Sequence, residues 1–338
     1  MNVSLQDWRA VLASDPEAMP TQSPEFMEAI CGDGRWRDAS RMYADERGRR
    51  IVLPMVRRAG MVTIEASNPP RWGFGGLLAE GGVRQTDVDA VTRELAARPV
   101  LRQSIRPNPI QGERWKTAHG LHLARRAHVV DLAGGEGGLW SDVSKTTRRN
   151  VRKAERAGVE IECDTTGRLL PLFFRLFELS RVRWAEQQHE PVWMSQWRTR
   201  RHDPIEKWQR IARDLGGSCR IWIASYRGEP AAGMIVLHGV SAHDTRGAID
   251  KQLAAATQAN YLLQWRAMQA ACAEGIRWYH MGESGTSARI SYFKERFGAK
   301  PFEFDEVRIE RLPLSKIDHA ARSVVKRLAR FEDAATEL

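Results

Sequence analysis

The chain has 338 residues, with 52 Lys and Arg against 42 Asp and Glu for a formal net charge of +10, and 42% of its residues are hydrophobic. That apolar fraction is too high for a disordered chain, and the length suits about two domains, each able to bury its own core. No apolar run is long enough to cross a bilayer, and the opening MNVSLQDWRAVLASDPE lacks the regions of a signal peptide, so a cytoplasmic protein with no membrane span is expected. Cys31, Cys163, Cys219 and Cys272 are scattered without a Cys-x-x-Cys pair, which argues against a disulfide framework or a thiolate zinc site. The positive balance fits an anionic partner (nucleic acid, anionic lipid or a phosphorylated substrate) or a basic composition with no partner at all.

In chain order, Met42-Tyr43-Ala44 and Arg50 to Val56 flank the polar turn Asp45-Glu46-Arg47-Gly48, a hairpin signal, and Met61 to Ile64 reads as a further strand. Asp87 to Ala97 carries Val88, Val91 and Leu95 at helical spacing, and Val100 to Ile105 has strand character. In the second half Arg220 to Tyr226 and Ala231 to His238 flank Arg227-Gly228-Glu229-Pro230, again a hairpin. A single helix is predicted over Ala254 to Glu274, with Tyr261, Trp265, Met268 and Cys272 on one face and Gly275 as its cap, followed by a strand over Ile276 to Met281. Hairpin, helix and strand recur in the same order, either from a cryptic internal duplication or by coincidence.

Between the halves, His128 to Leu132 reads as a strand and Gly134 to Gly138 as a turn, followed by a helix with candidate caps Ser141 and Ser144 and a stop at Gly158. Its apolar stripe is thin (Val151, Ala154, Ala157), while Lys145, Arg149, Arg152 and Arg156 recur on the opposite side with Arg148 and Lys153 beside them. Glu155 is the one acid between Lys145 and Arg156, so i,i+4 compensation is missing and an anionic partner is favoured over a solvated face.

Several chemistries lack their residues. There is no G-x-x-x-x-G-K-[ST] loop, no G-x-G-x-x-G opening a helix, and no G-x-S-x-G elbow. His119 and His122 have a metal-like spacing but no Cys or carboxylate partner in sequence, so no metal is expected. What remains is MGESGTSARISYFKERFGAKP, a glycine-rich loop at a strand end followed by a short helix with Phe293, Lys294 and Phe297. Open α/β sheets place ligands at such ends, although Lys294 as a snorkelling cation between core aromatics reads equally well.

SKTTRRNVRKAERAGVEIE (Ser144 to Glu162), NYLLQWRAMQAACAEGIRWYHMG (Asn260 to Gly282) and FKERFG (Phe293 to Gly298) together resemble the FemABX family of acyltransferases in the GNAT-like superfamily. QSPEFMEAI, IVLPMVRR and WGFGGLL extend the resemblance into the first half, so it covers nearly the whole chain. It implies a mixed α/β fold of two tandem GNAT-like domains with a cleft between them: residues 1–127, joined by the C-terminal segment 310–338, and residues 128–309 carrying FKERFG. In that family, members that build peptidoglycan cross-bridges move an amino acid from aminoacyl-tRNA to an amine of a muropeptide precursor. Others modify small-molecule antibiotics, and some distant relatives use acyl-CoA.

Ordinary GNAT enzymes hold the CoA diphosphate on backbone N–H groups of a [QR]-x-x-G-x-[GA] loop opening a helix, and the corresponding Asp250 to Thr257 has no glycine. With the cationic stripe (Lys145, Arg148, Arg149, Arg152, Lys153, Arg156) this shifts weight to tRNA as partner and aminoacyl-tRNA as co-substrate, with no cofactor beyond it; acyl-CoA is the alternative donor. By the family's pattern Lys294 with Phe293 sits at the aminoacylated RNA end, and Lys294 stabilises the oxyanion or holds the terminal ribose-phosphate. His280 is the general-base candidate or a buried structural histidine. For the amine-bearing acceptor the candidate residues are Arg71, Trp72, Trp193, Arg198, Arg201, Gly282 and Ser284; for Trp193, Arg198 and Arg201, core tryptophans with solvated arginines are the alternative. Three readings follow: an aminoacyl-tRNA-dependent transferase, an acyl-CoA N-acyltransferase, and an RNA-binding module that has lost the chemistry.

Overall fold

The structure, a computed structural model, describes residues 3–60, 63–70, 72–285 and 287–315. Two short helices open the chain, α1 (Leu5–Ser14) and α2 (Pro24–Cys31), each started by a serine, Ser4 and Ser23, whose hydroxyl accepts a first-turn N–H. They are followed by β1 (Trp36–Asp38), then β2 (Arg41–Ala44) and β3 (Arg50–Leu53), the hairpin that the turn at Asp45 to Gly48 predicts. The expected strand over 50–56 stops at Leu53 because Pro54 has no N–H for the ladder, and β4 (Val56–Arg58) starts anew in a different sheet. Next come β5 (Ile64–Ala66), β6 (Leu78–Ala79), α3 (Gln85–Ala97), β7 (Arg102–Ile105) and β8 (Leu121–Asp131).

The glycine-rich stretch expected as a turn is instead helical, forming α4 (Gly135–Asp142), and Ser144 rather than Ser141 caps the basic helix α5 (Lys145–Arg156). After β9 (Glu160–Asp164), Pro191 and Pro204 cut the following helical stretch into α6 (Leu170–Gln187), α7 (Val192–His202) and α8 (Ile205–Leu215). β10 (Cys219–Tyr226) and β11 (Glu229–His238) turn through Arg227 and Gly228, both at positive φ, as a two-residue hairpin turn requires. β12 (Ala242–Ile249) follows. The helix predicted over 254–274 is two helices, α9 (Lys251–Thr257) and α10 (Ala259–Ala273), broken at Gln258, whose φ of 61° is left-handed. β13 (Trp278–Glu283), α11 (Ala288–Glu295) and β14 (Lys300–Glu310) complete the described chain.

These strands form an 11-stranded sheet, ordered β1-β4-β5-β7-β14-β8-β13-β12-β11-β10-β9, and a 3-stranded one, β2-β3-β6. Parallel pairing occurs between β5 and β7 and between β12 and β13, and each pair is joined through helix, which is the form the repeated order of elements takes in space. The halves are unequal, since the first hairpin lies in the small sheet and the second in the large one. The division expected after Ala127 falls inside β8, and β14 pairs with both β7 and β8, so hydrogen bonds run without a break between the halves. Beyond residue 315 the segment expected to return to the first half lies outside the described residues.

Alternation along the central strands explains why they are apolar throughout. Trp222 and Ala224 of β10 face a core with α5 and α10, while Ile221 and Ile223 face a second core with α1, α2, α6 and α8. That second core unites the N-terminal helices with the strands of the second half. No helix among the described residues is long and apolar enough to cross a membrane.

Close packing on β14 is testable at Gly112. A Cβ there would meet the Glu303 carbonyl oxygen at 2.5 Å and Phe304 Cβ at 2.9 Å, so Gly112→Ala should lower stability by about 1–3 kcal/mol in urea unfolding. Gly137→Ala, with nothing within 4 Å, should be neutral or mildly stabilising in the same assay.

Candidate active site

β12 and β13 touch at two residue pairs, Ala242 with Tyr279 and His243 with His280, and then part. β12 continues beside β11 and β13 beside β8, each with one extra residue at the parting: Thr245 stands unpaired between Asp244 and Arg246, and Met281 between His280 and Gly282. Such bulges bend a strand and re-aim its side chains. Between the diverging strands opens a cavity of about 1250 Å³, lined among others by Phe74, Asp244, Gly282, Phe293 and Lys294.

Lys294 is set by α11, a short helix capped by Ser287, and is 7% exposed. Its ammonium donates to the carbonyls of Gly282 and Glu283, both at 2.9 Å, which uses two of its three N–H donors and leaves one for the cavity. Burial pulls its pKa down, while the charges of Asp244 and Glu283 oppose that shift. Asp244 is the reciprocal case: burial pushes its carboxyl up to about 7 against the pull of Lys294 and Arg246. The accessible part of Asp244 opens into the cavity, with no hydrogen-bond partner for the carboxylate among the described residues. Phe293 packs against Tyr261 and Phe297, ring centroids 5.3 and 5.1 Å away, and so holds α11 on α10. An ammonium with a free donor facing an ionisable carboxyl can stabilise an oxyanion and take up a proton within one site.

The other sequence-expected residues are distributed around this centre. His280 is fully buried behind the cavity, with both ring nitrogens unpartnered and its pKa lowered to about 3 by burial, which keeps it neutral. His243, beside it, does line the cavity and is likewise held neutral. Gly282 is on the cavity floor at φ 73°, and Ser284 is buried with its hydroxyl 3.0 Å from His128 Nδ1. Trp72 lies in the core, where it donates to the His202 carbonyl at 3.0 Å and packs on Trp208. Arg198 is held by Glu190 at 2.6 and 2.7 Å beside a smaller cavity of about 240 Å³. Trp193 and Trp197 are exposed on α7, with Arg201 over Trp197. Arg71 lies outside the described residues. The acceptor set is therefore not brought together at one point.

The cations of α5 lie on the protein surface and do not line the cavity, although the Ser144 N–H donates to the Arg296 carbonyl and ties the start of α5 to α11. Lys145, Arg149, Arg152, Lys153 and Arg156 are exposed, and Arg148 is half-buried with its guanidinium on the Trp140 and Ser141 carbonyls at the end of α4.

Sequence reading missed two residues. Asp244 has no motif around it and takes its meaning from the parting of the strands. Asp250 was legible as an N-cap, and its carboxylate accepts from the Gln252 and Leu253 N–H groups at 2.9 and 3.0 Å, filling the amides that open α9.

This fold and cavity define a class. Residues 141–295 match the acetyltransferase (GNAT) domain family, a span that contains Asp244 and Lys294. Over nearly its whole length the chain has the fold of the crystal structure of FemX, with a TM-score of 0.65 at 13% identity over 94% of this chain and 98% of that one. It is also similar to a conserved protein of unknown function from Bacteroides thetaiotaomicron, with a TM-score of 0.54 at 7% identity over 91% of this chain and 98% of that one. No curated protein sequence matches the chain. The resemblance to FemABX proteins thus holds at the level of the fold, and the domain matched over residues 141–295 supports an acyltransferase.

Raised from 3.8 to about 7, the Asp244 carboxyl binds a proton in the folded protein over a pH range where the unfolded chain has lost it. Its contribution to stability is therefore present at low pH and is lost as pH rises towards 7. Asp244→Asn should gain stability relative to the parent protein across that window, measured by urea unfolding at a series of pH values.

Proposed function

We propose that the protein moves an aminoacyl group from the ester of an aminoacyl-tRNA to an amine, forming an amide, with a peptidoglycan-precursor peptide or a small-molecule amine as acceptor. The observation that carries this reading is the Asp250 carboxylate on the first amides of α9. Free amides at a helix start seat a diphosphate, whereas here the protein's own anion takes the donors and repels a second one. The surface of α5 supports the same reading. Glu155 pairs with Arg266 of α10 at 3.0 Å, and Lys145, Arg149, Lys153 and Arg156 have no acidic partner among the described residues. Such a face suits a phosphodiester backbone read without sequence preference.

In this mechanism the amine nitrogen attacks the ester carbonyl carbon and the remaining Lys294 N–H stabilises the oxygen that becomes negative. The attacking nitrogen loses a proton to Asp244, the carbon–oxygen bond to the ribose breaks, and the leaving oxygen takes that proton. A second reading, transfer from acyl-CoA, is favoured by the match of residues 141–295 to an acetyltransferase domain.

The two are separated by incubating the protein with radiolabelled aminoacyl-tRNA or acetyl-CoA and the RNA-free amine pool of a cell extract. RNase-sensitive transfer from tRNA is expected; RNase-insensitive transfer from acetyl-CoA would sink the proposal, and RNA binding without transfer would leave a binding module. Lys294→Ala should slow transfer by about 10- to 1000-fold and, by leaving the Gly282 and Glu283 carbonyls without their donor, lower stability by about 1–3 kcal/mol in urea unfolding. Because Asp244 acts ionised, transfer by the parent protein should decline as pH falls through about 7, and Asp244→Asn should abolish that limb. Charge reversal of Arg149 and Arg152, both exposed, should weaken tRNA binding and reduce its salt slope by about 0.7–0.9 for each phosphate no longer neutralised.

A further inference from the structure

Helix α7 carries two large aromatic rings on its outer side. Trp193, Trp197, Arg200 and Arg201 stand at i, i+4, i+7 and i+8, which is one side of a helix, and all four are exposed, the tryptophans by 69% and 59%. Neither ring lines the cavity between the parted strands or the smaller one beside Arg198. Arg35, from the loop before β1, is exposed as well and donates to the Arg201 carbonyl, which brings a third cation to the end of this face. Arg35, Arg200 and Arg201 form no ion pair among the described residues. Glu178, on which Arg200 acts at a distance, is already paired with Arg181.

An indole has an apolar body and a single N–H donor, so two of them side by side in water carry a hydration cost that a water–hydrocarbon boundary removes. Guanidiniums beside them match the phosphates of anionic lipid headgroups, at the level just above the rings. A stacking nucleobase needs an open ring face, and the Arg201 guanidinium lies over one face of Trp197 at 5.6 Å from its centroid. The face is also the convex side of a helix, where a single nucleic-acid strand has no groove to follow. We propose that α7 is a membrane-docking helix, which lies in the surface of an anionic bilayer with Trp193 and Trp197 inserted among the headgroups and Arg35, Arg200 and Arg201 on lipid phosphates. α7 packs on α6, whose core is on the opposite face of the sheet from that of α5, so docking leaves the cations of α5 open. The proposal concerns where the protein works and stands whichever donor the cavity takes.

Sedimentation of the full chain with vesicles at physiological salt tests it. The protein is expected to bind vesicles of phosphatidylcholine mixed with phosphatidylglycerol and to stay largely in solution with phosphatidylcholine alone. Lipids brominated on their acyl chains should quench part of the tryptophan fluorescence, because quenching needs an inserted ring. Trp193→Ser and Trp197→Ser, at exposed positions, should each weaken binding about tenfold and together remove the quenching, with urea unfolding unchanged. Arg201→Gln should weaken binding about fivefold, the share of one surface cation. Charge reversal of Arg149 and Arg152 on α5 should leave the quenching as it is. Binding by the double tryptophan variant as tight as that of the parent, or quenching lost through the α5 reversal alone, overturns the proposal, since net charge is then sufficient. The other occupants of such a face show themselves with the same variants, and either one overturns it. A parent that is a dimer while the double tryptophan variant is a monomer makes the face a contact between copies. RNA binding lost in the double variant, with vesicles unbound by the parent, makes it an RNA surface.

Discussion

Everything in the site depends on two strands that stay together for two residue pairs and then part. Parallel pairing of β12 and β13 ends at His243 and His280, and from there each strand follows a different neighbour. A sheet that opens in its middle exposes backbone carbonyls that must find donors. Lys294 supplies them for Gly282 and Glu283, so the same ammonium that satisfies the carbonyls at the split also presents charge to the cavity. The bulges at Thr245 and Met281 belong to this geometry, since a strand that leaves its partner must bend.

Burying an ammonium and a carboxyl in one cavity weakens the fold. Desolvation disfavours both charged forms, and the attraction between Lys294 and Asp244 offsets part of that cost. The surrounding core supplies the difference. Aromatic packing of Phe293, Phe297 and Tyr261 pins α11 to α10, and strands apolar on both faces hold the sheet on either side of the split. Core packing and the charge that lines the cavity are in this way assigned to different residues of one short segment, with Phe297 fully buried and Lys294 lining the cavity.

Much of the fold was legible where local chemistry decides. Turn residues placed both hairpins, prolines divided the segment after β9, and the period of Val88, Val91 and Leu95 marked α3. Reading failed where the backbone departs from what local propensity favours. Gln258 adopts a left-handed conformation inside an apparently continuous helical pattern, the glycines before Leu139 enter a helix, and β8 runs through the position expected to divide the halves. In the site, the Phe293-Lys294 pair stood out because it lies beyond a glycine-rich strand end, whereas Trp72, Trp193, Arg198 and Arg201 carry the composition of a binding surface but are spread over the core, a second cavity and α7.

By itself the sequence determined the mixed α/β class, the basic face of α5, the absence of glycine at the start of α9 and the position of Lys294 after a strand end, because each follows from residues close together in the chain. Tertiary structure alone decided that Asp244, fifty residues before Lys294, shares its cavity, and that His280 is sealed behind it. Those juxtapositions arise from where strands part and helices cross, and burial then sets the charge each group carries; neither quantity is written in the spacing of residues along the chain.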